Sequence, residues 1–199
     1  MNWIRNLREI ETHAGNPWDF TVTTPLPKAI RKDKAARDSW INDPETEHNV
    51  YSLTEGLNDS LRVSKETPDE TGNPPFKLYG IVADFDEPLT EDEIVAGVGR
   101  IEFAPAYCER SLSGNVHLIW LFSEPVLVNG YSVCREFLKF AHDRMRLSSI
   151  GPGLDLPAYS DPARRYINSG EWTKLSDNTL DAAMVRGWMM RSWRTSKFW

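Results

Sequence analysis

The sequence predicts an α+β fold, and three stretches carry that reading. Phe76–Phe85 (F-K-L-Y-G-I-V-A-D-F) is apolar, rich in β-branched and aromatic residues, and bounded by turn-forming residues before it and Pro88 after it, which predicts a buried strand. Residues 106–110 and 116–122 flank a Ser113-Gly114 turn and predict a β-hairpin whose second strand, V-H-L-I-W-L-F, is strongly apolar. Residues 132–147 place Val133, Phe137, Ala141 and Met145 four apart, the spacing of an amphipathic helix.

The remaining elements follow in chain order. Residues 1–75 are expected to form a smaller N-terminal α/β lobe, with helices around 2–13 and 28–41 and a short strand near 49–53. The run T-P-D-E-T-G-N-P-P at 67–75 is a solvent loop that separates this lobe from a core at 76–175. After the first apolar strand, Thr90 and Glu93 form a T-x-x-E capping box. Ile94, Val98 and Ile101 then recur at spacings of four and three, so a helix begins at Thr90, and Pro105 ends that element. Gly151-Pro152-Gly153 stops the long helix, and 155–170 is a strand-and-turn region. A last helix over 179–193, capped by Ser176 or Asp177, lies within a C-terminal segment 176–199, where Trp188, Trp193 and Trp199 are expected to complete the core, the alternative being that they dock a further domain.

With 199 residues, the chain is long enough for one domain or two small lobes to bury a core without disulfides or a structural metal. Cys108 and Cys134 form no C-x-x-C pair, which excludes a structural zinc site and fits a reducing, cytoplasmic setting. No run approaches the length of a membrane span, and charges throughout the first 20 residues exclude a secretion signal, so no membrane partner is expected. The formal charge of −6 is unevenly spread. Residues 1–130 hold 12 Lys+Arg against 22 Asp+Glu, a net −10, and residues 131–199 hold 11 against 7, a net +4. Binding to nucleic acid therefore has to use local basic faces.

Asp84 and Asp86 end the first apolar strand. Side chains alternate along a strand, so both carboxylates leave one face about 7 Å apart at their Cα atoms, a placement suited to one shared divalent cation or two. With 14 Asp in the chain, roughly one D-x-D pair arises by chance, so its position at a buried strand end carries the weight. Two unpaired carboxylates there are costly without a cation or hydrogen-bond donors. His117 shares a strand face with Ile119 and Leu121. It can be a satisfied core histidine or, with the Ser113-Gly114 turn just upstream, part of an anion cradle for a triphosphate. A third acid is Asp155 in G-P-G-L-D-L-P or Asp161 in S-D-P-A-R-R-Y, each of which can also be a turn cap. Arg164 and Arg165 follow in a strand-like run, so only one of them can face the acids. Arg135, Lys139, His142 and Arg146 recur along the other face of the long helix, either as a solvated face or as a phosphate-backbone track.

The order of these motifs resembles the archaeo-eukaryotic primase superfamily, and within it the phage and plasmid primase-polymerases. The residues that carry the resemblance are the strand ending D-F-D, then S-G-N-V-H-L-I-W-L-F-S-E-P-V, then G-L-D-L-P-A-Y-S-D-P-A-R-R-Y-I-N-S-G, spanning residues 78–170. The resemblance implies a mainly antiparallel, RRM-like sheet flanked by helices. It implies a nucleotidyltransferase that makes primers on single-stranded DNA from NTPs or dNTPs in phage or plasmid replication, in the cytoplasm of a bacterial host. Asp84, Asp86 and Asp155, with Asp161 as the alternative, would hold two Mg²⁺ or Mn²⁺ ions, while Ser113, His117, Arg164 and Arg165 would bind the incoming nucleotide. Arg135, Lys139 and Arg146 become a candidate template track. Many relatives carry one more residue between the S-G pair and the histidine, and many carry a zinc module for which this chain has no ligands. No G-x-x-x-x-G-K-[ST] run is present, so a helicase would be a separate domain or protein.

Rival readings are a metal-dependent phosphatase or glycosyltransferase of D-x-D type, and a non-catalytic accessory domain that grips single-stranded DNA. Haloacid-dehalogenase-like phosphatases want Thr or Val where this chain has Pro88, and relaxases want an H-x-H pair that it lacks. The accessory reading predicts DNA binding unchanged by EDTA and no nucleotide incorporation.

Overall fold

The computed structural model describes residues 33, 35, 36, 39, 50, 51, 53–55, 76–111, 113–155, 162, 164, 166, 167 and 172–196. In chain order its elements are β1 (Val50–Tyr51), β2 (Thr54–Glu55), β3 (Phe76–Phe85), α1 (Glu91–Val98), β4 (Tyr107–Arg110), β5 (Val116–Val128), α2 (Tyr131–Met145), β6 (Tyr166–Ile167), β7 (Trp172–Lys174) and α3 (Ala182–Ser196). Among the described residues, β2-β3-β5-β4-β7 form one sheet in that order and every pairing is antiparallel, while β1 and β6 pair separately. The architecture is α+β, as the sequence predicts.

Alternation along the two central strands divides the core. Ile81, Ala83 and Phe85 of β3 and Val116, Leu118, Trp120 and Phe122 of β5 face one side. They pack there against Cys134, Phe137, Leu138 and Ala141 of α2 and Val185 and Trp188 of α3. Val82, Ile119 and Leu121 face the other side, where Leu53, Tyr107, Tyr166 and Trp172 cover them. Each fully buried aliphatic or aromatic side chain contributes about 1.5–3 kcal/mol, so the sheet is held from both faces. Trp120 also donates its indole N–H to the Phe103 carbonyl at 2.7 Å, which satisfies its polar atom inside the core. Both cysteines are buried and free.

Most local expectations hold. Thr90 accepts from the Glu93 N–H and the Glu93 carboxylate accepts from the Thr90 N–H, which is the capping box at the start of α1. That helix ends at Val98, short of Ile101, which packs against the core beyond it. Other expectations change as well. β5 runs on through Pro125 to Val128 because the ladder with β3 is interrupted: Leu78 pairs with Val126 and Gly80 with Leu121, so the segment between them bulges. Leu180 fills that gap by bonding Leu121 and Ser123, and a proline, having no N–H, is tolerated there. The last helix starts at Ala182 instead of 179 because Leu180 is spent on this bridge; Asp181 caps the helix by accepting the Met184 N–H. His142, expected on the basic face of the long helix, is buried at 3% exposure.

Of the expected N-terminal lobe, β1 at Val50–Tyr51 confirms the strand near 49–53. Ala35, Ala36 and Ser39 are helical within the expected helix 28–41, while the helix at 2–13 lies outside the described residues. Trp188 is buried against Phe103, and the side chains of Trp193 and Trp199 lie outside the described residues. Among the described residues no helix is long and apolar enough to cross a membrane.

Candidate active site

The site is built on the sheet face opposite α2 and α3. Antiparallel register sets Asp84 of β3 beside His117 of β5, and His117 beside Glu109 of β4, so the three side chains form one row across three adjacent strands. His117 donates from Nδ1 to Glu109 Oε2 at 2.8 Å, and its Nε2 lies 3.3 Å from Asp84 Oδ1. The imidazole and the Tyr166 ring meet edge to face, with centroids 4.9 Å apart. All three members of the row are buried, Glu109 completely.

Asp155 reaches the row through a strand-like segment that extends the edge of β3. The Asp86 N–H donates to the Gly153 carbonyl and the Asp155 N–H to the Asp84 carbonyl, both at 2.7 Å, around a bridge between Phe85 and Leu154. Gly153 makes this possible. Its φ is +76°, and a Cβ there would sit 2.9 Å from the Glu87 nitrogen. Arg164 then spans two of the acids, with its guanidinium 3.1 Å from Asp84 Oδ2 and 3.9 Å from Asp155 Oδ2, while stacked over Tyr166 at 5.7 Å.

The electrostatics follow from this packing. Burial works to lower the pKa of His117, but its hydrogen bonds to Asp84 and Glu109, together with their charges, push it up to about 9, so the ring is an imidazolium at neutral pH. Burial works to raise Asp84, yet the His117 hydrogen bond and charge, helped by Arg164, hold its carboxyl below the ordinary range. Asp86, at the exposed rim, moves the other way: desolvation and then the negative charges of Asp155 and Asp84 raise it.

No protein-family model matches the sequence, and no curated protein matches it. The archaeo-eukaryotic primase domain of the cyanophage S-2L primase-polymerase superposes with a TM-score of 0.53 over 92% of this chain and 96% of that one, at 12% identity. The fold is that of an archaeo-eukaryotic primase.

On this primase fold, the structure brings Asp84, Asp86, Asp155, His117 and Arg164 together. Ser113 stands apart in the exposed turn before β5, with its hydroxyl 2.8 Å from Ser111 Oγ. Asp161 and Arg165 lie outside the described residues. Arg135, Lys139 and Arg146 sit on or next to α2, which packs on the other face of the sheet, and Lys139 is paired with Glu136 at 3.0 Å. That placement counts against them as groups holding a template across the acid cluster.

Divalent ions are the cofactor that the primase fold implies, and the donor chemistry fits them: three carboxylates supply hard oxygen ligands, and Asp86 bears the repulsion of its two acidic neighbours. Between Asp84 and Asp155 a cation is already bound, the guanidinium of Arg164. Among the described residues no three His, Cys, Asp or Glu side chains close around one point.

Glu109 is the residue that sequence reasoning missed. The signal was present: a hairpin turning at 111–115 pairs Arg110 with Val116 and therefore Glu109 with His117.

Proposed function

We propose that this chain is a primase-polymerase catalytic domain, a DNA-directed nucleotidyltransferase that synthesises primers on single-stranded DNA in phage or plasmid replication. The observation that carries the reading is the row of Asp84 and His117 with Asp155 and Arg164 at its edge, a cluster of carboxylates beside two cationic side chains on a primase fold. Residues 76–175 form its catalytic core, to which the N-terminal segment 1–75 adds β2 at the sheet edge and 176–199 adds the C-terminal helix segment.

Asp84, Asp86 and Asp155 would hold two Mg²⁺ or Mn²⁺ ions, and such ions would supply activation of the primer 3′-hydroxyl and charge neutralisation at the pyrophosphate. His117 and Arg164 supply fixed positive charge to the triphosphate. Because the imidazolium is already oriented by the sheet, little reorganisation is needed as charge develops on the leaving group. Arg164, which spans Asp84 and Asp155, is placed to hold an anionic nucleotide phosphate beside them.

The test is thermal. Mn²⁺ with a nucleoside triphosphate should raise the melting temperature more than either alone, and EDTA should abolish the shift. A chain that binds single-stranded DNA equally with and without EDTA, and shows no nucleotide-dependent shift, is an accessory binding domain instead.

A further inference from the structure

We infer that Glu109 is the positioning residue for His117: it holds the imidazole by Nδ1 so that the Nε2 edge is presented to the triphosphate of an incoming nucleotide. This rests on the proposed function and assigns to that site a residue it did not include. A carboxylate can only accept, so the 2.8 Å contact fixes Nδ1 as a protonated nitrogen and turns Nε2 toward Asp84 and the mouth of the site. The Tyr166 ring, its centroid 4.9 Å from that of the imidazole, bounds it on a further side, which leaves Nε2 as the ring atom at the acid cluster.

The cost of the arrangement argues for a purpose. Glu109 is fully buried at 0% exposure, and a buried ion pair is seldom better for stability than apolar residues of the same volume. The neighbouring row on the same sheet face shows the cheaper solution: Val82, Ile119 and Tyr107 occupy the equivalent positions on β3, β5 and β4. A row that needed only to be filled would continue in that style. The two carboxylates on His117 also differ in what else they do. Asp84 is shared with Arg164 and stands among the acids, so any cation it takes up competes with His117 for its oxygens. Glu109 lies across the ring from that competition, and its hold on Nδ1 persists while Asp84 is engaged elsewhere.

The experiment compares wild type, Glu109→Gln, His117→Ala and the double variant for binding of a non-hydrolysable nucleoside triphosphate with Mn²⁺, with the wild-type His117 Nδ1–H followed by proton NMR in labelled protein. The expected results are a slowly exchanging, far-downfield Nδ1–H in wild type, and about tenfold weaker binding in Glu109→Gln, the order lost when a histidine's carboxylate partner is removed. Glu109→Gln should add no further loss in the His117→Ala background. Triphosphate binding by Glu109→Gln equal to wild type, an equal loss in both backgrounds, or no protected Nδ1–H in wild type overturns the inference. The last readout holds even where Glu109→Gln does not fold. Failure of wild type itself to bind the triphosphate overturns the function proposed above together with the ligand named here. Wild-type binding with Glu109→Gln unchanged overturns only the role of Glu109.

Discussion

Asp84 and His117 are direct partners across the β3–β5 ladder, with Nε2 of the imidazole 3.3 Å from Oδ1 of the carboxylate. Their pairing is a consequence of register. A slip of one residue in either strand would turn one of the two toward the helices on the opposite face, so the hydrophobic alternation that builds the core also assembles the site. The same alternation delivers Glu109 to the far side of the ring.

Arg164 occupies the acids as an internal cation, so its removal should affect two ligands in opposite directions. In Arg164→Ala, Mn²⁺ should bind about fivefold more tightly, since a partly exposed guanidinium contributes on the order of 1 kcal/mol against it. Triphosphate affinity should fall at the same time. Titration calorimetry with each ligand checks both signs, and weaker Mn²⁺ binding in the variant would show that Arg164 organises the acids instead of competing for them.

Gly153 should tolerate no side chain. Gly153→Ala places a Cβ in a left-handed conformation that costs about 1–2 kcal/mol, before any overlap with Glu87, and for a chain of this size that lowers Tm by roughly 2–8 °C. The same change should weaken Mn²⁺ binding, because Gly153 anchors the segment that carries Asp155. A variant that melts and binds Mn²⁺ as wild type does would mean that Asp155 is held by other contacts.

In metal-free buffer the melting temperature should peak near pH 6.5, with a histidine responsible for each limb. His117 has a folded pKa of about 9, above its ordinary 6.5, so its contribution is complete below pH 6.5 and is lost as pH rises through 9. His142 is displaced the other way: burial, only partly offset by a hydrogen bond to the Val82 backbone, lowers it to about 3. The unfolded chain therefore takes up a proton below pH 6.5 that the folded chain refuses, and stability falls toward acid. Each limb is at most one proton steep, about 1.4 kcal/mol per pH unit. His117→Gln should flatten the alkaline limb and His142→Gln the limb from pH 6.5 toward 4.5. Melting curves from acid pH through pH 9 decide it, and unchanged limbs in both variants would assign the pH dependence elsewhere.

Much of this was legible in the sequence because the deciding information was local. The apolar run of β3, the capping box at Thr90 and the four-residue period of α2 each lie within one element, and D-F-D at a strand end puts two acids on one face by alternation alone. Long-range information was harder to read. His142 falls at helical spacing with Arg135 and Lys139, but the facing side of β3 decides its burial. Pro125 reads as a strand end because its tolerance depends on Leu180, 55 positions later, entering the bulge. Asp155 and Asp161 are both candidates by pattern; the bond from the Asp155 N–H to the Asp84 carbonyl sets Asp155 against the site, and Asp161 lies outside the described residues.

Primer synthesis on single-stranded DNA is the decisive assay for nucleotidyl transfer at Asp84 and Asp86. Wild type supplied with Mn²⁺ or Mg²⁺ and either NTPs or dNTPs should produce short primers from an unprimed template. Asp84→Asn with Asp86→Asn, shown by circular dichroism to be folded, should produce none, a loss of at least about 10³-fold given the charge that the bound ions stabilise. Equal product from wild type and the folded double variant, or no product from wild type with either metal and either nucleotide class, would contradict the account.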